Sequence, residues 1–195
     1  MSVKFTQEIL HHEEGDFIKV QHLSIYGSNK EIGYTLGNLA KNQHQIKRFK
    51  HKDTFRYECQ KQYLKANYPI HYKRMTGLAK AYNENIVDTV LDFSCFGNPL
   101  DSLGCSAVFY PPKYTESNSG ILSRNLDLPI RSFSELQTGK ESQTEQASAN
   151  MYVIELYPDK GYSSLINFCF ELYGLSLDGI NSEGFMLSPK NWTVN

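Results

Sequence analysis

The hydrophobic rhythm of the chain changes at residue 105, and that change limits the folds open to it. Before it, apolar residues recur at helical spacing. Ser28 and Glu31 have the S-x-x-E spacing of a capping box, and Ile32, Leu36, Leu39, Gln43 and Ile46 follow as a stripe, so a helix is expected from near Asn29. Phe55, Cys59, Tyr63 and Ala66 make a second stripe ahead of Pro69, which should close that helix or open the next. A third stripe runs through Met75, Leu78, Ala79, Tyr82 and Ile86. Upstream of all three, FIKVQHLSIY at 17–26 alternates apolar and polar as a strand does.

From Cys105 onward the period is that of strands. CSAVFY, GILSRNL, ANMYVIELY, YSSLINFCF and YGLSLDGI are short β-rich runs, separated by turn signals at Pro111-Pro112, Asn118-Ser119-Gly120, Pro158-Asp159-Lys160-Gly161 and Asp178-Gly179. The polar stretch 132–148 reads as a mobile loop. The chain thus divides into a mainly helical part, 1–104, and a β-rich part, 105–195, of one α+β domain. The second part has no amphipathic helix of its own to cover its sheets. Either the helices of the first part cover everything, or the chain is the front of a longer protein.

Composition excludes some partners. A formal charge of −1 over 195 residues gives no field to attract nucleic acid or an anionic membrane. No apolar run has the length of a spanning helix, and the amino-terminal MSVKFTQEILHHEEGDF has no signal-peptide core, so a cytoplasmic location is the default expectation. The HHEE run at 11–14 lacks the HExxH spacing of a zinc site and reads as a frayed terminus.

The four cysteines form no CxxC pair, so each is judged alone. Cys59 and Cys169 lie on apolar stripes and read as small buried hydrophobes, and nothing around Cys95 argues otherwise. Cys105 differs. Gly104 before it permits a strained peptide, and Ser106 after it leads into a strand that can hold a thiol rigidly. If the chain were cut after Gly104, the new α-amino group, with an ordinary pKa of about 7.7–8.0, could serve as the thiol's own base. All six histidines precede Cys105, and a Cys/His hydrolase using His22 or His71 stays open, because such pairs are recognised by geometry.

Several segments together carry a family resemblance. GCS at 104–106 with SRNLD at 123–127 resembles the cysteine amino-terminal-nucleophile (Ntn) hydrolases of the choloylglycine hydrolase and penicillin acyltransferase superfamily. GINSEGFMLSPKNW at 179–192 is similar to a third family segment, while YGSNKEIGYTLG and RMTGLAKAYN resemble elements of the penicillin-acyltransferase-like branch. Ser123 stands where the family often has glycine.

The resemblance implies an αββα sandwich, incomplete in this chain, preceded by a mainly helical segment released by self-cleavage between Gly104 and Cys105. It also implies roles. Cys105 would be the nucleophile, Arg124 would hold the thiolate or the acyl group, Asp127 would bind the freed α-amino group, and Asn191 would donate to the oxyanion. The expected activity is hydrolysis or acyl transfer at a linear C–N amide through a Cys105 thioester, with no metal or organic cofactor. The expected partner is a small-molecule amide, for which 13 tyrosines and 11 phenylalanines make an apolar acyl group plausible. A homo-oligomer is left open. The alternatives are a truncated, inactive family member acting as a binding or scaffold protein, and the Cys/His hydrolase.

Overall fold

The chain opens with an antiparallel pair, β1 (Lys4–His11) and β2 (Lys19–Gly27), in the computed structural model. Three helices follow: α1 (Asn29–Gln43), α2 (Thr54–Asn67) and α3 (Pro69–Ala81). A two-stranded ribbon of β3 (Gly104–Tyr110) and β4 (Ile121–Asp127) comes next, then β5 (Asn150–Pro158), β6 (Ser164–Cys169), β7 (Ser176–Asn181) and β8 (Met186–Leu187). The main sheet has the order β1-β2-β5-β6-β7-β8, and β2 and β5 are its one parallel pair. The fold is mixed α+β. The structure describes residues 4–94, 104–127, 132, 135, 146, 149–169, 172–173 and 176–188, and of residues 104, 105, 126, 127, 169 and 177 the backbone alone.

The capping box forms as the sequence indicates. Ser28 Oγ accepts the Glu31 N–H at 3.3 Å, and the Glu31 carboxylate accepts the Ser28 N–H at 2.8 Å, closing off two amide donors at the start of α1. The stripe then turns onto the sheet. Ile32, Leu36, Leu39 and Ala40 pack with Leu23 and Ile25 of β2 and with Tyr152, Ile154 and Leu156 of β5. Register explains the match, because Leu23 pairs with Ile154 and Ile25 with Leu156, so one face of both strands is apolar at every second residue. Each such side chain, fully buried, contributes about 1.5–3 kcal/mol.

Pro69 opens α3 rather than closing α2 alone, and Met75, Leu78 and Ala79 of the third stripe are buried with Leu64, Ile86 and Phe93. The second stripe is different: Phe55, Cys59, Tyr63 and Ala66 face solvent, with Phe55 80% exposed. The buried side of α2 is instead Tyr57, Lys61 and Leu64. Two of these are polar because they bond the backbone that follows α3. Lys61 Nζ donates to the carbonyls of Ile86, Val87 and Thr89, and Tyr57 Oη accepts the Phe93 N–H at 2.9 Å. A count of apolar residues selects the wrong face of such a helix. It follows that Cys59 is an exposed free thiol, not a buried hydrophobe.

Two further expectations change. The amino terminus is an edge strand from Lys4, and His11 ends it with Nε2 2.8 Å from Asp16 Oδ2. Asp178-Gly179 is not a turn: both residues lie inside β7, where Gly179 pairs with Ile166 and Asp178 with Asn167. The turn comes later, where Asn181 Oδ1 accepts the N–H groups of Glu183 and Phe185 and Gly184 takes a positive φ. Of the loop expected over 132–148, all but Ser132, Glu135 and Gln146 lies outside the described residues, as does Cys95; the side chain of Cys169 does too. Among the described residues, no helix is long and apolar enough to cross a membrane.

Candidate active site

The ribbon that carries Cys105 is fixed by its turn. Pro112 starts a short 3-10 turn, Thr115 Oγ1 donates to Pro112 O and Ser119 O, and Asn118 adopts a positive φ. From there β3 and β4 pair without a register shift over seven positions, from Tyr110 with Ile121 to Gly104 with Asp127. The far end of the ribbon therefore sets the Gly104-Cys105 peptide directly across from Leu126 and Asp127. Arg124 pairs with Ala107, two positions along from Cys105. By backbone register, Cys105 and Asp127 thus lie at one end of the ribbon and Arg124 at its central pair, three residues before Asp127 on β4. The fourth residue picked from sequence, Asn191, lies outside the described residues.

Arg124 does more than line the ribbon. Its side chain is 8% exposed, and Nη1 donates to Asp178 Oδ1 of β7 at 2.9 Å. The same Oδ1 accepts the Ser188 hydroxyl at 2.8 Å. Asp178 is the residue that sequence reading missed, because aspartate before glycine is a common turn signal. The alternation in SLDGIN could have placed it on the face away from the helices.

Register fixes that face. His22, Val153, Asn167 and Asp178 form one cross-sheet row, alternating with the Leu23–Ile154–Ile166 row that packs against α1. Arg124 therefore reaches the sheet from the side opposite to α1. On this same side Glu155, Leu165 and Ile180 form the next row, and they line an open depression of about 200 Å³ together with Tyr157, Ser164 and Asn181.

A polar cluster borders the depression. His22 Nδ1 lies 2.9 Å from Glu8 and Nε2 lies 3.4 Å from Glu155, while Ser24 and Tyr157 both donate to Glu155 Oε2. Desolvation raises the Glu155 pKa, but the bonds from Ser24 and Tyr157 and the nearby His22 outweigh it and hold the carboxyl below its ordinary value. Tyr157 moves the other way, since its hydroxyl donates to that carboxylate and resists ionisation. His71 sits elsewhere, stacked on Tyr173 at 5.7 Å, and its burial lowers its pKa and favours the neutral ring. Among the described residues, no group of three His, Cys, Asp or Glu side chains is arranged to hold a metal ion.

Compared with known proteins, the chain matches no family model, no curated protein and no solved structure.

Proposed function

We propose that the protein is a cysteine amino-terminal-nucleophile amidohydrolase or acyltransferase, acting on a linear C–N amide and activated by cutting itself between Gly104 and Cys105. The observation that carries the reading is the register of the ribbon, in which the scissile peptide lies across from Asp127 and near Arg124. A nucleophile that must generate and then use its own α-amino group needs an anion at that point. Asp127 supplies one to hold the new ammonium group.

The layering is consistent with an αββα sandwich. Helix α1 covers one face of the six-stranded sheet, and Arg124 ties the ribbon to the other face through Asp178. An apolar acyl group suits the depression on that face, whose floor includes Leu165 and Ile180.

Activation starts with attack of the Cys105 thiol on the Gly104 carbonyl. The C–N bond breaks, the acyl group passes from nitrogen to sulfur, and water hydrolyses the thioester to leave a free amine and thiol on Cys105. In turnover the amine takes the thiol proton, the thiolate attacks the substrate carbonyl, and the proton passes to the departing amine. Asn191 would donate to the oxyanion, a contact typically worth about 2.7–4 kcal/mol. Water or a second amine then releases the acyl group. The Cys/His alternative gains no support from His22, both of whose ring nitrogens already face carboxylates.

Intact-mass measurement of the purified chain tests the proposal. Two fragments are expected, the second beginning with Cys105, and Cys105→Ala should abolish the cut. A single full-length mass after prolonged incubation favours the inactive binding or scaffold protein. Cleavage that persists in Cys105→Ala removes the thiol from the mechanism.

A further inference from the structure

We propose that Asp178 is the positioning residue of this site, one carboxylate oxygen that sets both Arg124 and Ser188, the residue just after β8. The inference rests on the amidohydrolase reading above. Two hydrogen bonds converge on Asp178 Oδ1 from separate parts of the chain: Arg124 Nη1 from the nucleophile ribbon at 2.9 Å, and Ser188 Oγ from the stretch just after β8 at 2.8 Å. The first partner stands two ladder positions from Cys105, and the second opens the run of chain that ends at Asn191.

The surroundings make the geometry exacting. The Arg124 side chain is almost fully enclosed and that of Asp178 is 20% exposed, so neither group can exchange its partner cheaply for water. Asp178 itself is held in the ladder opposite Asn167, in the row adjoining the depression. Asp178 is laddered to β6 within the six-stranded sheet, whereas β3 and β4 form only a two-stranded ribbon. Asp178 thus transfers the rigidity of the six-stranded sheet to the group beside the nucleophile. It touches no reacting atom and acts through Arg124 and Ser188.

The test uses the full chain in a Cys59→Ser background, with two readouts. One is the rate of the Gly104-Cys105 cut, followed by mass during cell-free synthesis; the other is the pH profile of Cys105 alkylation by iodoacetamide, located by peptide mapping. Asp178→Ala should slow the cut by about 100-fold, the scale of an ångström of misplacement, and Arg124→Gln by a similar factor. The double variant should be no slower than Asp178→Ala, which already removes the bond to Arg124 along with that to Ser188. Both single variants should move the alkylation midpoint upward, Arg124→Gln by removing a positive charge and Asp178→Ala by releasing Arg124 from its place, against the downward shift that loss of a carboxylate alone would give. Ser188→Ala should slow the cut without moving that midpoint.

Effects that multiply in the double variant, or an Asp178→Ala midpoint equal to wild type, would overturn the proposal. If Asp178→Ala does not fold by circular dichroism, Asp178→Asn replaces it: an acceptor remains for Nη1 but the charge is gone, so its cut should fall between wild type and Arg124→Gln, and a wild-type rate overturns the inference. If wild type itself never cuts, the reading of function fails, while the alkylation profiles still decide the role of Asp178. A shared upward shift supports it and an unshifted Asp178 variant sinks it.

Discussion

Replacing Gly77 by alanine should destabilise the protein, although alanine is the better helix former. Helices α1 and α3 cross at Gly33 and Gly77, and each glycine meets the other helix's backbone. A Cβ on Gly77 would lie 1.8 Å from the Lys30 carbonyl oxygen, and one on Gly33 would lie 2.0 Å from that of Arg74. Ordinary contact starts at 3.4 Å, so Gly77→Ala must open the crossing by the difference between 3.4 and 1.8, about 1.6 Å, and the obstacle is backbone that cannot rotate aside. A gap of 0.5–1 Å already forfeits a quarter to a half of the dispersion energy between facing atoms, and Leu36 and Leu78 beside the crossing are completely buried. Overpacking typically costs about 1–3 kcal/mol, and a backbone clash belongs at the upper end. Subtracting the gain of about 1 kcal/mol from helix propensity leaves a net loss of about 2 kcal/mol. For a chain of this size that is a fall in Tm of about 4–8 °C. Urea unfolding followed by circular dichroism measures it, with an unchanged m-value as the check on two-state behaviour. The variant Gly33→Ala/Gly77→Ala should lose less than the sum of the two singles, because the helices need separate only once. A Gly77→Ala protein more stable than wild type by the propensity gain would refute the close crossing.

Other variants probe separate contacts. Phe55→Ser and Cys59→Ser should each change stability by no more than about 0.5 kcal/mol, and Cys59 should react with a thiol reagent in the native state, whereas Leu64→Ala on the opposite face should cost about 2–5 kcal/mol; a large loss in Phe55→Ser would mean that the stripe is covered. Lys61→Ala leaves three carbonyl groups without their shared donor and should cost about 3 kcal/mol in urea unfolding. Ser28→Ala removes the cap of α1 and should cost about 1 kcal/mol at neutral pH. Its pH dependence follows from Glu31, whose carboxyl is held below the ordinary 4.5 by the Ser28 hydroxyl and N–H. A lowered folded value gives stability that is complete above the unfolded pKa and is lost as pH falls through the folded one, so the gap between wild type and Ser28→Ala should narrow only below pH 4.5.

Legibility in the sequence followed the kind of interaction. The α1 cap and stripe were readable because both are local: an S-x-x-E spacing and a helical period that meets apolar strands. The strands after Cys105 were readable for the same reason, as was the opening of α3 at Pro69. The buried face of α2 was not, since Lys61 and Tyr57 are buried to satisfy carbonyl and amide groups of a connection that follows α3. Asp178 was hidden too. Its partners, Arg124 on the separate ribbon and Ser188 just after β8, come from distant parts of the fold, and only tertiary packing brings them together. The resemblance drew on YGSNKEIGYTLG, and the structure shows what two of its glycines do: Gly33 and Gly37 let α3 approach, Gly33 against Arg74 and Gly37 against Leu78 and Ala81. Asn181 and Gly184 of the third segment likewise build a turn. A pattern shared for packing and a pattern shared for chemistry are mixed in the same short runs.

The proposed cut has a structural consequence that is open to direct measurement. The piece ending at Gly104 would keep β2, whose nine paired positions along β5 put it inside the six-stranded sheet, and α1, whose stripe fills the main core. Covalent continuity with β3 is not what holds these elements in place. The chain after α3 is also pinned on its own side, by Lys61 on the carbonyls of Ile86, Val87 and Thr89, by the bonds from His51 N to Val90 O and from Asp92 N to Phe49 O, and by Phe93 in the second core cluster. Burial in the main cluster includes Leu23, Ile25, Ile32 and Leu36 from the first piece and Tyr152, Ile154 and Leu156 from the second, and removing either would expose the other's apolar face. At about 1.5–3 kcal/mol for each side chain, that interface far exceeds what two fragments at micromolar concentration need to stay associated. The cut protein should therefore run as one particle on size exclusion in native buffer and as two chains in denaturant, with the near-ultraviolet circular dichroism unchanged by the cut. Fragments that part in native buffer would show that the sheet is held together by the chain itself rather than by β2 and α1.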